Sequence, residues 1–168
     1  NKALFDAAAH VKTHNSTLHL MGLFSSGSVH AYMDHVYALL EFAKRAEVPH
    51  VAVHPFTDGR DSPPDEGKFD ITELGRVIKE SYPNALVGSV MGRSFAMDRD
   101  GHWDQTERAY NLLVNGIGEA FTDAEAYIAD SYKKGTTDEF IEPGFLAAPD
   151  GTAAHRVKEG DALLYWDF

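Results

Sequence analysis

Three short stretches hold residue types suited to anion chemistry: Ser25-Ser26-Gly27-Ser28-Val29-His30, Thr57-Asp58-Gly59-Arg60-Asp61 and Gly92-Arg93-Ser94-Phe95-Ala96-Met97-Asp98-Arg99. Between them they contain three of the seven arginines and one of the nine histidines. Guanidinium groups stay charged at every working pH and grip carboxylate or phosphate in a forked geometry. Arg60, Arg93 and Arg99 at one rim would make a pocket for a small anion carrying two such groups, such as a phosphorylated hydroxy acid. Each charge-assisted hydrogen bond contributes roughly 1.5–3 kcal/mol, enough to overcome repulsion from a distant, salt-screened net charge. Asp61 follows Arg60 directly, where a carboxylate can orient the arginine or exchange a proton with a substrate hydroxyl. His30 reads as the start of a helix, whose positive end would lower its pKa and favour a neutral donor. A competing arrangement pairs the arginines with Asp58, Asp61, Asp98 and Asp100 merely to hold the loops, with Asp61 making a turn or cap before Pro63-Pro64.

Other chemistries find little support. With no Cys, thiol catalysis and disulfides are excluded. No Walker A or G-x-S-x-G sequence occurs, and Gly116-Ile117-Gly118 lacks the third glycine of a dinucleotide fingerprint. His50 and His54 would share a strand face, but no further ligands accompany them. Asp98-Arg99-Asp100-Gly101 begins like a calcium loop, yet Ala109 stands where the twelfth-position carboxylate belongs. No metal site is expected within the chain, and no nucleophile is evident.

The elements that must position these loops can be traced from apolar spacing. Leu4, Ala7, Ala8 and Val11 mark a helix ending near Asn15, and Leu18 to Phe24 is a short apolar run suited to a buried strand. Val29, Met33, Val36, Tyr37, Leu40 and Ala43 predict a helix from about His30 to Glu47. His50 to Phe56 predicts a second strand, and Ile71, Leu74 and Ile78 a second strand-following helix. Leu86 to Met91 predicts a third strand, followed by a helix over about 103–115 that Gly116 can end. Thr122 and Glu125 have capping-box spacing before a further helix closed by Gly135, while Phe140-Ile141 and Ala162 to Phe168 read as strands. Serial strand–helix units predict an α/β fold: a mainly parallel sheet covered by helices, in a single domain. Ligands of such sheets bind beyond the carboxyl ends of the strands, where these three loops lie.

Composition agrees. The chain has 168 residues, 43% hydrophobic and 24% charged, which is enough for one well-buried core. A formal net charge of −11 argues against general nucleic-acid binding. No apolar run is long enough to span a membrane, so a cytoplasmic setting is the expectation.

Leu18-His19-Leu20-Met21-Gly22-Leu23, His54-Pro55-Phe56-Thr57-Asp58-Gly59-Arg60-Asp61, Gly92 to Asp100 with Trp103-Asp104, and Thr137-Asp138-Glu139-Phe140-Ile141-Glu142-Pro143 closely resemble cofactor-independent (2,3-bisphosphoglycerate-independent) phosphoglycerate mutase. That family is an isomerase of glycolysis and gluconeogenesis that interconverts 3-phosphoglycerate and 2-phosphoglycerate. It uses two manganese ions and a phosphoserine, both carried by an alkaline-phosphatase-like domain. A second domain, inserted in the first, grips the substrate. The resemblance implies that residues 1–168 are this substrate-binding domain alone, with the phosphatase-like metal domain absent and no turnover from this chain by itself. It further implies that His30, Arg60, Asp61, Arg93 and Arg99 contact substrate, with Asp61 also catalytic in proton movement, and that manganese binds outside this chain. Ser26-Gly27-Ser28 departs from the Asp-Gly-Gly of many relatives. The rival expectation is a stand-alone anion-binding or regulatory module of shared ancestry that docks on no phosphatase partner.

Overall fold

A computed structural model describes residues 1–167. Helix α1 (Lys2–His14) is closed by Asn15 in the left-handed conformation, φ 49. Strand β1 (Thr17–Leu23) and helix α2 (Asp34–Arg45) follow, then β2 (His50–Thr57) and α3 (Gly67–Ser81). The third strand is split into β3 (Ala85–Val87) and β4 (Ser89–Gly92). Helices α4 (Arg93–Ala96) and α5 (Trp103–Tyr110) come next, α5 running on as a π-helical turn over Asn111–Asn115 that Gly116 ends. The remainder comprises β5 (Glu119–Phe121), α6 (Ala124–Lys133), a 3₁₀ turn (Asp138–Phe140), β6 (Gly144–Leu146) and β7 (Ala162–Tyr165).

The chain is a single α/β domain built on a seven-stranded sheet in the order β5-β6-β4-β2-β1-β7, with β3 also on β2. Every pairing is parallel except β4 with β6. The inner strands β1 and β2 are buried along nearly their whole length, as continuous apolar strands covered on both faces must be. In α2 the buried positions are Val36, Leu40 and Ala43, and in α3 Ile71, Leu74 and Ile78, each a single stripe turned to the core. Such a side chain contributes roughly 1.5–3 kcal/mol on burial.

The split of the third strand is a bulge. Val51 pairs with Ala85, 34 residues on, but Phe56 pairs with Met91, 35 residues on, so one extra residue enters near Gly88. Next to it Ser89 Oγ lies 2.7 Å from His54 Nδ1. His54 Nε2 meets His19 Nδ1 at 2.9 Å, and His19 Nε2 meets Asp161 Oδ2 at 3.1 Å, forming a buried polar chain across three strands and the segment before β7.

Several boundaries depart from the sequence expectations. Helix α2 starts at Asp34, not near His30, because Val29 is exposed and the segment from Ser25 to Met33 is loop, closed by Met33 N–H donating to Ser25 O. Asp123, not Thr122, caps α6, its side chain accepting from Ala126 N. Phe140 belongs to a 3₁₀ turn, and Ile141 follows as that turn's C-cap, so this stretch is not a strand. The short strands β5 and β6 carry no alternation long enough to announce them. Strand β7 ends at Tyr165 and lies at the edge of the sheet, so Leu163 and Tyr165 are exposed. Trp166 and Asp167, expected to continue the strand, lie outside it, and the last residue of that expected strand, Phe168, falls outside the described residues. No helix among the described residues is long and apolar enough to cross a membrane.

Candidate functional site

Strands β1, β2 and β4 lie side by side and parallel, so the loops after them emerge at one edge. Asp58 organises the loop after β2. Its buried Oδ1 accepts from the backbone N–H of Arg60 and of Asp61, both at 3.1 Å, while Ser25 Oγ donates to its Oδ2 at 2.5 Å. The Asx-turn of this loop is therefore made by Asp58, not Asp61. Arg93, at the start of α4, extends into the same loop, and its Nη1 donates to Asp58 Oδ1 and Asp61 Oδ2, each at 2.6 Å. Its side chain is only 4% exposed. Burial alone would raise the Asp58 pKa, but the hydrogen bonds from Ser25, Arg93 and the two backbone amides outweigh it and hold the carboxyl below its ordinary value. For Arg93, burial acts to lower the pKa, and the paired carboxylates Asp61 and Asp58 more than reverse that.

The 3₁₀ turn forms the opposite wall. Asp138 is buried and accepts from Gly67 N at 2.8 Å and Tyr132 OH at 2.5 Å; burial raises its pKa. So anchored, the turn presents Glu139, whose Oε1 accepts from Arg60 Nε at 2.9 Å and Nη2 at 2.5 Å. The loops close tightly enough to require glycine at two places. A Cβ on Gly27 would lie 2.2 Å from Asp61 O, and one on Gly92 would lie 2.3 Å from Glu139 O. Gly92→Ala is expected to push the 3₁₀ turn off β4 and cost roughly 1–3 kcal/mol, as overpacking of a rigid site does; urea unfolding measures it, and an unchanged midpoint would show that the turn yields freely.

Arg60, Arg93 and Arg99 together line one cavity of about 120 Å³, with Ser94 and Glu139 among its other walls. That is well below the 300–1,000 Å³ typical of sites for drug-sized ligands and suits a small metabolite. A larger cleft of about 600 Å³ lies between α3 and the edge of β3 and β5, but contains no arginine. Among the described residues Arg99 is exposed and makes no ion pair, so its guanidinium is available to an incoming anion.

The competing arrangement of the sequence analysis thus holds in part. Arg93 pairs with Asp58 and Asp61, whereas Arg60 pairs with Glu139, and Arg99 pairs with neither Asp98 nor Asp100. Asp61 joins the cluster through Arg93 rather than lining the cavity. His30 does not line it either: it is loop-borne, with Nδ1 3.8 Å from Asp167 Oδ1, and the macrodipole argument made for it does not apply. Glu139, Ser94 and Ser25 were not singled out from the sequence. Only assembly of the 3₁₀ turn against β2 and β4 brings Glu139, 79 residues after Arg60, to that arginine. Asp98, Asp100 and His102 place three potential metal-ligating atoms within 4.8 Å of one another. Asp98 is engaged within its own turn, accepting from Gly101 N at 3.0 Å and His102 N at 2.8 Å, with its Oδ1 2.8 Å from His102 Nδ1.

The chain as a whole has close counterparts. The chain is 45% identical over its whole length to a 2,3-bisphosphoglycerate-independent phosphoglycerate mutase of Myxococcus xanthus, covering 33% of that protein, and 41% identical to one of Methanosarcina barkeri, covering 32%. A crystal structure of Leishmania mexicana phosphoglycerate mutase at low cobalt concentration superposes with a TM-score of 0.90 at 29% identity, over 96% of this chain and 31% of that one. The chain therefore spans about a third of the length of these relatives. The family model for the BPG-independent PGAM N-terminus matches residues 1–168, and the chain belongs to that family.

Proposed function

We propose that this domain is the substrate grip of a phosphoglycerate mutase that interconverts 3-phosphoglycerate and 2-phosphoglycerate. In this reading the phosphatase-like domain of the same polypeptide carries a phosphoserine and two manganese ions, the metals supplying charge neutralisation to the transferring phosphoryl group. This chain's own residues hold the glycerate so that its two hydroxyls can exchange places before the phosphoryl group returns; positioning is its contribution. Arg99 and Arg60 engage the anionic groups, and Arg93 fixes Asp61. Asp61, partly exposed beside Arg60, exchanges a proton with a substrate hydroxyl. His30, outside the cavity on the loop after β1, would contact the ligand from beyond the arginine rim. The observation that carries the reading is the convergence of three guanidinium groups on one small cavity in a chain of net charge −11.

Calorimetric titration of 3-phosphoglycerate into this chain tests it. Arg99→Ala is the cleanest variant, because it breaks no ion pair among the described residues. Loss of one or two charge-assisted hydrogen bonds should weaken binding roughly 10- to 100-fold. Unchanged affinity in both Arg99→Ala and Arg60→Ala would exclude the pocket. In a coupled assay with manganese this chain alone should give no turnover, and sustained activity would overturn the division of labour.

A further inference from the structure

The reading above leaves one cavity wall without a role. Ser94 is the second residue of α4, directly after Arg93, and among the described residues its Oγ is the only buried side-chain polar atom with no hydrogen-bond partner. Buried hydroxyls nearly always have a partner, and an orphan destabilises the fold that holds it. Ser94 stands on the wall of the cavity that Arg60, Arg93 and Arg99 line. Guanidinium groups only donate, so none of the three can accept the Ser94 proton. Glu139, an acceptor on the same wall, is turned to Arg60 instead. Asp98, Asp100 and Gln105 also line the cavity, but Asp98 is engaged by Gly101 and His102, and none of these groups meets the Ser94 hydroxyl. An anionic oxygen lodged among the arginines would accept from a guanidinium and from the hydroxyl together, satisfying both.

We propose that Ser94 is a ligand-binding residue whose Oγ–H donates to an anionic oxygen, phosphate or carboxylate, of the molecule held in the arginine cavity. The inference rests on the substrate-grip reading but makes a separate claim, because an orphan hydroxyl and a structural hydroxyl respond oppositely to removal. Ser94→Ala should weaken 3-phosphoglycerate binding about tenfold in calorimetric titration. The melting temperature of the unliganded variant should stay level or rise, since an unsatisfied buried group has been removed. Inorganic phosphate and glycerate, titrated separately, identify the oxygen: the probe whose affinity falls in Ser94→Ala is the one the hydroxyl touches. If Ser94→Ala binds as tightly as the unaltered chain while Arg99→Ala binds weakly, the Ser94 assignment is wrong and the grip stands. A melting temperature several degrees lower in Ser94→Ala would make the hydroxyl structural and likewise overturn the assignment. If the unaltered chain binds no 3-phosphoglycerate, phosphate or glycerate, both claims fall together.

Discussion

Replacing Arg93 with methionine is expected to remove about 3–5 kcal/mol of stability, the range for deleting one partner of a buried charge pair. The magnitude follows from what is left behind rather than from the attraction lost. Asp58, with a side chain 1% exposed, would keep its charge with only Ser25 and two amides to balance it, whereas Asp61, at 23%, can turn to water. Asp58 therefore carries most of the cost. The double variant Arg93→Met/Asp58→Asn should recover at least about 1 kcal/mol of the loss, because it removes the stranded charge. Urea unfolding of the three proteins measures both numbers. A loss below about 1 kcal/mol in the single variant would show that the cluster is solvated and Arg93 dispensable to the fold. For the same reason, weak ligand binding by an Arg93 variant would say little about the ligand. Arg99 is the better probe of recognition and Arg93 of architecture.

The second large effect is acid destabilisation through the buried histidines. Burial holds the His54 pKa down to about 3, with the charges of His19 and His155 acting in the same direction. His19 is lowered chiefly by burial, against the pull of Asp161, and His155 is lowered by burial. Asp161 would be raised by burial, but the amides of Thr17 and Lys158 and the ring of His19 hold it below its ordinary value, so it is an acceptor. The hydrogen-bond directions follow by assignment. His19 Nε2–H donates to Asp161, His54 Nε2–H donates to His19 Nδ1, and Ser89 Oγ–H donates to His54 Nδ1. Both rings are neutral in this arrangement. A proton added to His19 Nδ1 would reverse the His19–His54 and His54–Ser89 bonds, but two charged rings would set N–H against N–H.

The sign follows from the depressed values. Above pH 6.5 the histidines are neutral in both states and cost nothing. As pH falls from 6.5 towards about 3, the unfolded chain binds protons that the fold refuses, and stability is lost. Asp70, raised to about 6 by burial and the nearby Glu66 and Asp138 charges, and Asp138, raised by burial, work the other way, since the folded state keeps their protons longer. The test is therefore a slope rather than a total. Unfolding free energy against pH between 6 and 4.5 should flatten in His54→Gln by up to about 1.4 kcal/mol per pH unit, one proton's worth. Parallel slopes in the two proteins would show that His54 takes up its proton inside the fold as readily as outside.

The elements that could be read directly were those whose pattern is local and long. Helices α2 and α3 repeat apolar residues over three or more turns, and β1 and β2 are uninterrupted apolar runs, so parallel order and the edge that bears the loops followed from sequence alone. Shorter signals failed for identifiable reasons. Phe140 and Ile141 look strand-like because they are apolar neighbours, yet Asp138, held by Gly67 and Tyr132, winds that stretch into a 3₁₀ turn. Capping falls to Asp123 rather than Thr122, its side chain accepting from Ala126 N, because either residue type can serve and the sequence alone does not choose between neighbours. His30 was placed on a helix because Val29 continued the periodicity, but Val29 is exposed and the helix waits for Asp34.

By itself, the amino-acid order determined which residues were chemically able to hold a doubly charged anion, and that three of them would lie on loops at the same edge of a parallel sheet. Side-chain type and hydrophobic period are properties of a few consecutive residues, so both survive in one dimension. Tertiary structure alone decided how each guanidinium is used: Arg93 drawn inward by two aspartates, Arg60 held by a glutamate 79 residues away, Arg99 left open to solvent. Pairing depends on distances of a few ångströms between segments remote in the chain, and on the burial that sets the strength of each charge, neither of which the local sequence contains.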